Sequence, residues 1–128
     1  MDVISDMFVR IQNAYRAGHE TVLIPHSKLR TAIAEILEKN KFVGKAEKKG
    51  KKVRKFLEIA LKYYEEVPAM SGFKRISKPS RRMYIDSKGL FAKKRSRGVS
   101  IISTSKGLMT NHEAKKARMG GEVIAEVW

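Results

Sequence analysis

Cysteine is absent from the 128 residues, which removes disulfides, thiol nucleophiles and every Cys-containing metal site at once. The absence suits a reducing cytoplasm. Acidic side chains are scarce as well: 13 Asp and Glu stand against 28 Lys and Arg, for a net charge of +15. Such an imbalance costs self-repulsion unless a polyanion neutralises it, so nucleic acid is the first partner to consider and an anionic membrane the second. No apolar run approaches the roughly 18 residues of a membrane span, and Met1-Asp2-Val3 lacks the basic and apolar regions of a signal peptide. A soluble compartment is expected, with no membrane partner. The hydrophobic share of 42% is enough for a folded core. A chain this short forms one domain, or two very small ones that lean on each other.

Catalytic signals are equally thin. His19, His26 and His112 lie in separate segments, and His112-Glu113 continues to Lys116 where a zinc-protease helix needs a second histidine. Zinc sites take three or four converging ligands, so no metal site is expected. No phosphate-binding or dinucleotide-binding glycine motif occurs, and no cofactor is called for. Ser103-Thr104-Ser105-Lys106 matches the S-x-x-K nucleophile motif, but the companion S-D-N and K-T-G motifs are missing. No catalytic residue is assigned, and the chain does not read as an enzyme.

What is there is periodic. Ile4, Phe8, Ile11 and Tyr15 fall on one face of a helix from about Ser5 to Ala17, closed by Gly18. A short apolar stretch, Thr21 to Ile24, precedes a second helix that starts near Pro25 and Ser27, carries Leu29, Ile33, Ile36 and Leu37 on one stripe, and ends between Asn40 and Gly44. From Leu57 to Tyr63 the apolar period drops to two, which marks a strand, and Gly50 is expected to turn the chain into it. The first half therefore reads α-β-α-β-β. Glu65 to Gly72 carries a proline, a serine and a glycine between patterned regions, which places a boundary after residue 66. Beyond it, short strands are expected at Phe73–Ser77, Met83–Ile85, Val99–Ser103 and Val123–Trp128, with turns at Pro79, Gly89, Gly98, Gly107 and Gly120-Gly121. Thr110-Asn111-His112-Glu113 fits a capping box and opens one helix that runs to about Arg118. The fold class is α+β: two small packed domains, 1–66 α-β-α-β-β and 67–128 mainly β with a short helix.

The charge is not shared evenly. Residues 1–66 carry a net +5 and residues 67–128 a net +10, with eleven basic residues against the single acid Asp86 between Val67 and His112. Phe73, Tyr84 and Phe91 are interleaved there, and basic side chains among aromatics neutralise phosphates while stacking on unpaired bases. Lys93-Lys94-Arg95 with Arg97 reads equally as a loop that is merely solvated. A second run, Lys48-Lys49, Lys51-Lys52 and Arg54-Lys55, suits either a phosphate grip or a solvated hairpin tip. Ser103-Thr104-Ser105-Lys106-Gly107 crowds three hydroxyls onto a tight turn where Gly107 permits positive φ. Each hydroxyl both donates and accepts, so the loop suits RNA edges and 2′-hydroxyls; the alternative is a turn whose hydroxyls bond their own backbone.

These segments together resemble the family of ribosomal protein eight of the small subunit, over nearly the whole chain. The residues that carry the resemblance are Gly98-Val99-Ser100-Ile101-Ile102-Ser103-Thr104-Ser105-Lys106-Gly107-Leu108-Met109-Thr110, Glu113-Ala114, Gly120-Gly121-Glu122 and Val127-Trp128. Asp6-Met7, Arg10-Ile11-Gln12-Asn13-Ala14, Pro25-His26-Ser27-Lys28-Leu29 and Arg75-Ile76-Ser77-Lys78-Pro79 with Arg82 and Tyr84 add to it. The resemblance implies a constituent of cytoplasmic ribosomes, or of an organelle's, that binds an irregular, internally bulged helix in the central domain of small-subunit ribosomal RNA beside neighbouring ribosomal proteins. In bacteria it implies, too, binding to a similar element of the protein's own messenger RNA. Its RNA contacts carry over to Ser103, Thr104, Ser105, Lys106 and Gly107, to Tyr84 and Glu122, and to Ser27, Lys28 and Lys55. A carboxylate repels phosphate, so Glu122 is assigned to holding the hydroxyl loop or accepting from a base or 2′-OH donor.

Three places depart from the family's pattern. Ser80 replaces a glycine after Lys78-Pro79, residues 86–97 lack the usual acidic-then-proline helix start, and Glu126 replaces an aromatic or apolar residue. The rival functions are a basic regulator that binds messenger RNA and a nonspecific RNA chaperone.

Overall fold

The computed structural model describes residues 2–51, 53–92 and 98–128, which form two compact units dividing between Ser71 and Gly72. The division falls later than residue 66 because β5 (Val67–Pro68) folds back onto β4 (Tyr63–Tyr64), tying those residues to the first unit. Among the described residues no helix is long and apolar enough to cross a membrane.

In the first unit α1 (Val3–Arg16) starts earlier than expected, since the Asp2 carboxylate caps it by accepting from the Ser5 N–H at 2.8 Å. Strand β1 (Thr21–Pro25) follows, then α2 (Lys28–Lys39), β2 (Ala46–Lys51) and β3 (Arg54–Ala60), in the α-β-α-β-β order that the apolar periods imply. The strands form an antiparallel sheet in the order β1-β3-β2, with α1 packed on β1 and α2 on β2. Ile24 lies opposite Leu57 on its inner face, and both are buried, as are Ile59, Phe8, Met7, Ile11, Ile33 and Leu37. Each such side chain contributes roughly 1.5–3 kcal/mol on burial. Gly50 does not turn the chain: it lies within β2 opposite Lys55, and pairing continues to Lys51 and Arg54.

A tyrosine pins the unit's polar interior. The buried Tyr15 hydroxyl donates to the Phe42 carbonyl at 2.6 Å and accepts from the Lys62 N–H at 3.1 Å, while its ring meets Tyr63 edge-on at 5.3 Å. One α1 side chain thus ties down the loop after α2 and the chain after β3.

In the second unit β6 (Phe73–Arg75), β7 (Tyr84–Ile85), β8 (Val99–Thr104), β9 (Gly107–Thr110) and β10 (Gly121–Val127) form one antiparallel sheet. Its path is β6-β10-β8-β9. Strand β7 pairs with β10 too: Ala125 to Val127 hold β6, whereas Gly121 and Glu122 hold β7. A register shift between Val123 and Ala125 on the β8 side separates the two stretches. Leu108-Met109 belongs to β9, because the hairpin returns along β8.

Two helices complete the unit. Helix α3 (Ser87–Ala92) forms where the sequence leaves a helix undefined, its first turn held by the Asp86 carboxylate accepting from the Gly89 N–H at 2.6 Å. Helix α4 (Asn111–Ala117) has the expected capping box: the Thr110 hydroxyl accepts from the Glu113 N–H at 3.2 Å, and the Glu113 carboxylate from the Thr110 N–H at 3.3 Å. Ala114 of α4 packs with Ile102 and Val123 of the sheet, joined by Ile76, Ile85 and Met109.

The departures Ser80 and Glu126 fit without strain. Lys78 and Arg81 close a two-residue turn through mutual backbone bonds of 2.9 Å, and Ser80 is not among the residues of positive φ. Glu126 lies across from Lys74, an acid facing a base between paired strands.

Tyr15→Phe is expected to lower stability by about 1–3 kcal/mol, because two backbone groups lose their partner in the interior. Burial pushes the Tyr15 hydroxyl above its ordinary pKa of 10.0. A raised pKa confers stability that is complete below pH 10 and lost as pH rises beyond it, so the gap between wild type and variant narrows there. Urea unfolding at neutral pH and above pH 10 checks both.

Candidate nucleic-acid interface

The hydroxyl loop is the tip of the β8–β9 hairpin. Thr104 pairs with Gly107, leaving Ser105 and Lys106 as the two turn residues, and Gly107 adopts a φ of 105°, a region that L side chains avoid. The three hydroxyls do different things. Thr104 donates to the Gly107 carbonyl at 2.8 Å and accepts from the Lys106 N–H at 3.1 Å, so it braces the turn as an internal bond would. Ser105 is exposed and makes no hydrogen bond among the described residues, while Ser103 is half-buried in β8.

Register places Ser103 in a row. It lies opposite Glu122 on β10, and Glu122 lies opposite Tyr84 on β7. Directly paired residues share a sheet face, so Tyr84, Glu122 and Ser103 cross three strands side by side. Their neighbours Ile102 and Val123 face the core beneath α4, which puts the row on the other face. Tyr84 is 72% exposed, as a ring available for stacking must be. Of the other two aromatics in the basic segment, Phe73 is half-buried in β6 and the side chain of Phe91 lies outside the described residues.

Close approach of the strands keeps the row together. A Cβ on Gly121 would stand 2.1 Å from the Ser103 carbonyl oxygen, and one on Gly120 would stand 2.3 Å from that of Ile85. With no side chains there, the strand ends and the start of α3 border an open cleft of about 670 Å³ lined by Tyr84, Ile85, Asp86, Ser87, Gly120 and Gly121.

Glu122 lies opposite Ser103, but among the described residues its carboxylate bonds Arg82 and no side chain of the hydroxyl loop. The Glu122 side chain is only 17% exposed, and the carboxylate accepts from the Arg82 guanidinium at 3.0 Å. The pair cancels the acid's charge beside a surface otherwise suited to an anion, which is the account that sequence reasoning missed. Ser77 supports the same segment, since its buried hydroxyl accepts from the Met83 N–H at 2.9 Å and donates to the Met83 carbonyl at 3.2 Å.

Ser27, Lys28 and Lys55 belong to the first unit. Ser27 is the N-cap of α2, its hydroxyl accepting from the Arg30 N–H at 3.1 Å, so its side chain is already engaged. The His26 N–H donates to the Lys55 carbonyl at 2.9 Å, which brings Lys28 and Lys55, both exposed, to one corner beside an open cleft of about 560 Å³. In the neighbouring run Lys49 is paired with Glu58 at 2.9 Å, and the hydrogen bond and charge of Glu58 hold its ammonium above the ordinary pKa of 10.5. Lys52, Lys93-Lys94-Arg95 and Arg97 lie outside the described residues. Among the described residues no three metal-ligating side chains gather.

The Arg82–Glu122 pair generates a test. Arg82→Ala leaves an uncompensated carboxylate in the row and should weaken RNA binding, and adding Glu122→Gln should restore much of the loss. Filter-binding titrations of the two single variants and the double variant measure the coupling. If Arg82→Ala and the double variant bind equally poorly, Arg82 contacts RNA directly instead of masking Glu122.

A family described as ribosomal protein S8 matches residues 2–128. The small ribosomal subunit protein uS8c of Phaeodactylum tricornutum is 45% identical over 99% of this chain and 98% of its own length. The uS8 proteins of Mycoplasmopsis synoviae and Spiroplasma kunkelii are each 44% identical, over 99% and 100% of this chain and 97% and 98% of their own lengths. With a match that runs from end to end and takes in the hairpin, the row and the glycines between them, the chain belongs to the ribosomal protein S8 family.

Proposed function

We propose that the chain is a non-catalytic constituent of the small ribosomal subunit that binds the central domain of its ribosomal RNA directly and helps that domain assemble. The observation that carries this reading is the row Tyr84–Glu122–Ser103 continued by the β8–β9 hairpin. It presents an exposed ring, an exposed hydroxyl on Ser105 and an acid paired with Arg82 on one sheet. Stacking suits bases that an irregular helix leaves unpaired, and hydroxyls suit base edges and 2′-hydroxyls. Lys28 and Lys55 in the first unit add phosphate contacts, which contribute affinity and register more than sequence choice.

Two measurements separate these roles. Ser105→Ala should cost about 1–3 kcal/mol, since an RNA donor or acceptor loses its partner, with the salt slope unchanged and the preference for the bulged helix over a scrambled one reduced. Lys106→Ala should flatten the slope of log affinity against log salt by about one unit and weaken both RNAs alike. Isotherms at four salt concentrations decide the matter, and a flattened slope with intact preference for Ser105→Ala would reduce the loop to a phosphate contact.

Tyr84→Phe should bind nearly as wild type and Tyr84→Ala should lose about 1–3 kcal/mol, the worth of one stacked base. Equal binding by Tyr84→Ala and wild type would remove the ring from the contact.

A further inference from the structure

Helix α4 turns a second basic surface away from the row. Its buried Ala114 faces Ile102 and Val123, whereas His112, Lys115, Lys116 and Arg118 are exposed and line a shallow groove of about 470 Å³. The helix has one acid, Glu113, and its carboxylate is turned onto Thr110, where it accepts from the backbone N–H and from the hydroxyl at 3.2 Å. Among the described residues the groove is lined by three cationic side chains and an imidazole.

Helix stability explains only part of this arrangement. Cations near a helix C-terminus complement its dipole, which accounts for Lys115 and Lys116. It does not account for His112 in the first turn, nor for Arg118 as the C-cap. Arg118 holds a left-handed φ of 55°, a position that glycine fills without strain. A long cation there projects from a turn that a smaller residue would close more easily.

We infer that the α4 face is a second site for an RNA phosphate backbone, separate from the row and on the opposite side of the same sheet. The inference rests on the RNA-binding reading for the first of the two surfaces. Strand alternation supplies the separation: Ser103 and Glu122 face one way, and their neighbours Ile102 and Val123 face α4. A sheet and a helix then lie between the two surfaces, so a single strand segment does not occupy both at short reach. The C-terminal unit holds two RNA segments at once, one by stacking and hydroxyls, the other by charge.

The test uses the full chain with the bulged-helix RNA bound to saturation, titrated with a labelled 20-nucleotide polyuridylate. Polyuridylate should bind without displacing the first RNA. The double variant K115E/K116E should weaken polyuridylate binding and flatten its salt slope by about 1.4, about 0.7 for each lysine lost on a single strand, while affinity for the bulged helix stays within about twofold. Displacement of the first RNA by polyuridylate, or unchanged polyuridylate binding by K115E/K116E, would overturn the inference. So would polyglutamate of equal length binding as tightly as polyuridylate, because the groove would then be a general polyanion trap. Should the bulged helix itself fail to bind, the proposed function falls separately; K115E/K116E must still weaken polyuridylate binding to the free chain, or the α4 site falls with it.

Discussion

The C-terminal unit depends on how closely β10 is inserted between β7 and β8. Gly120 and Gly121 leave no room for a Cβ against the carbonyls of Ile85 and Ser103, and this contact sets the register that aligns Tyr84, Glu122 and Ser103. A slip of one residue would turn every side chain of β10 to the opposite face, exchanging Glu122 for Val123 in the row and opening the core beneath α4. The same pair of glycines therefore positions the candidate interface and closes the apolar cluster of Ile102, Ala114 and Val123. The candidate interface and the core beneath α4 are properties of one strand pairing.

Electrostatics works against this arrangement unless it is managed locally. A net charge of +15 favours an anionic partner and disfavours the compact free state. Several cations are engaged within the fold: Arg82 by Glu122, Lys49 by Glu58 and Arg10 by Asp6 at 2.9 Å. Exposed pairs of this kind are worth roughly 0–1 kcal/mol each, so they do not hold the protein together. What they change is where field is available. Glu122 is paired with Arg82 beside Tyr84 and Ser103, and Glu113 bonds Thr110 at the start of its own helix.

The hydroxyl turn divides its labour in a way that composition does not reveal. Thr104 spends its hydroxyl on the Gly107 carbonyl and the Lys106 N–H, giving the hairpin tip a fixed shape, and Ser105 is left outward. The backbone-bonding reading of the Ser-Thr-Ser stretch holds at Thr104, and Ser105 is the hydroxyl left exposed. Ser27 is a comparable case in the first unit, since its side chain caps α2 and its proximity to Lys28 and Lys55 comes from that cap. A ligand there meets the lysines and the backbone more readily than the serine hydroxyl.

Elements whose signal is local were legible in the amino-acid sequence. The stripes of α1 and α2 have period 3.6 and β3 has period two, because one face of each must leave water whatever its partner. The α4 capping box needs only residues three apart, and Thr110 and Glu113 form it as the spacing implies. The basic bias and the glycines and hydroxyls of the hairpin were equally visible. Contacts between distant residues were not: the attachment of Val67 to the first unit, the placement of Gly50 within β2, and the choice of Arg82 as partner for Glu122 all depend on strand pairing. The sequence by itself determined most of the apolar faces that are buried, Leu29 of the α2 stripe staying exposed, and where the basic residues and hydroxyls concentrate. Tertiary structure alone decided that Tyr84, Glu122 and Ser103, spread over nearly forty positions, share a row, because register sums constraints from three strands that no local window contains.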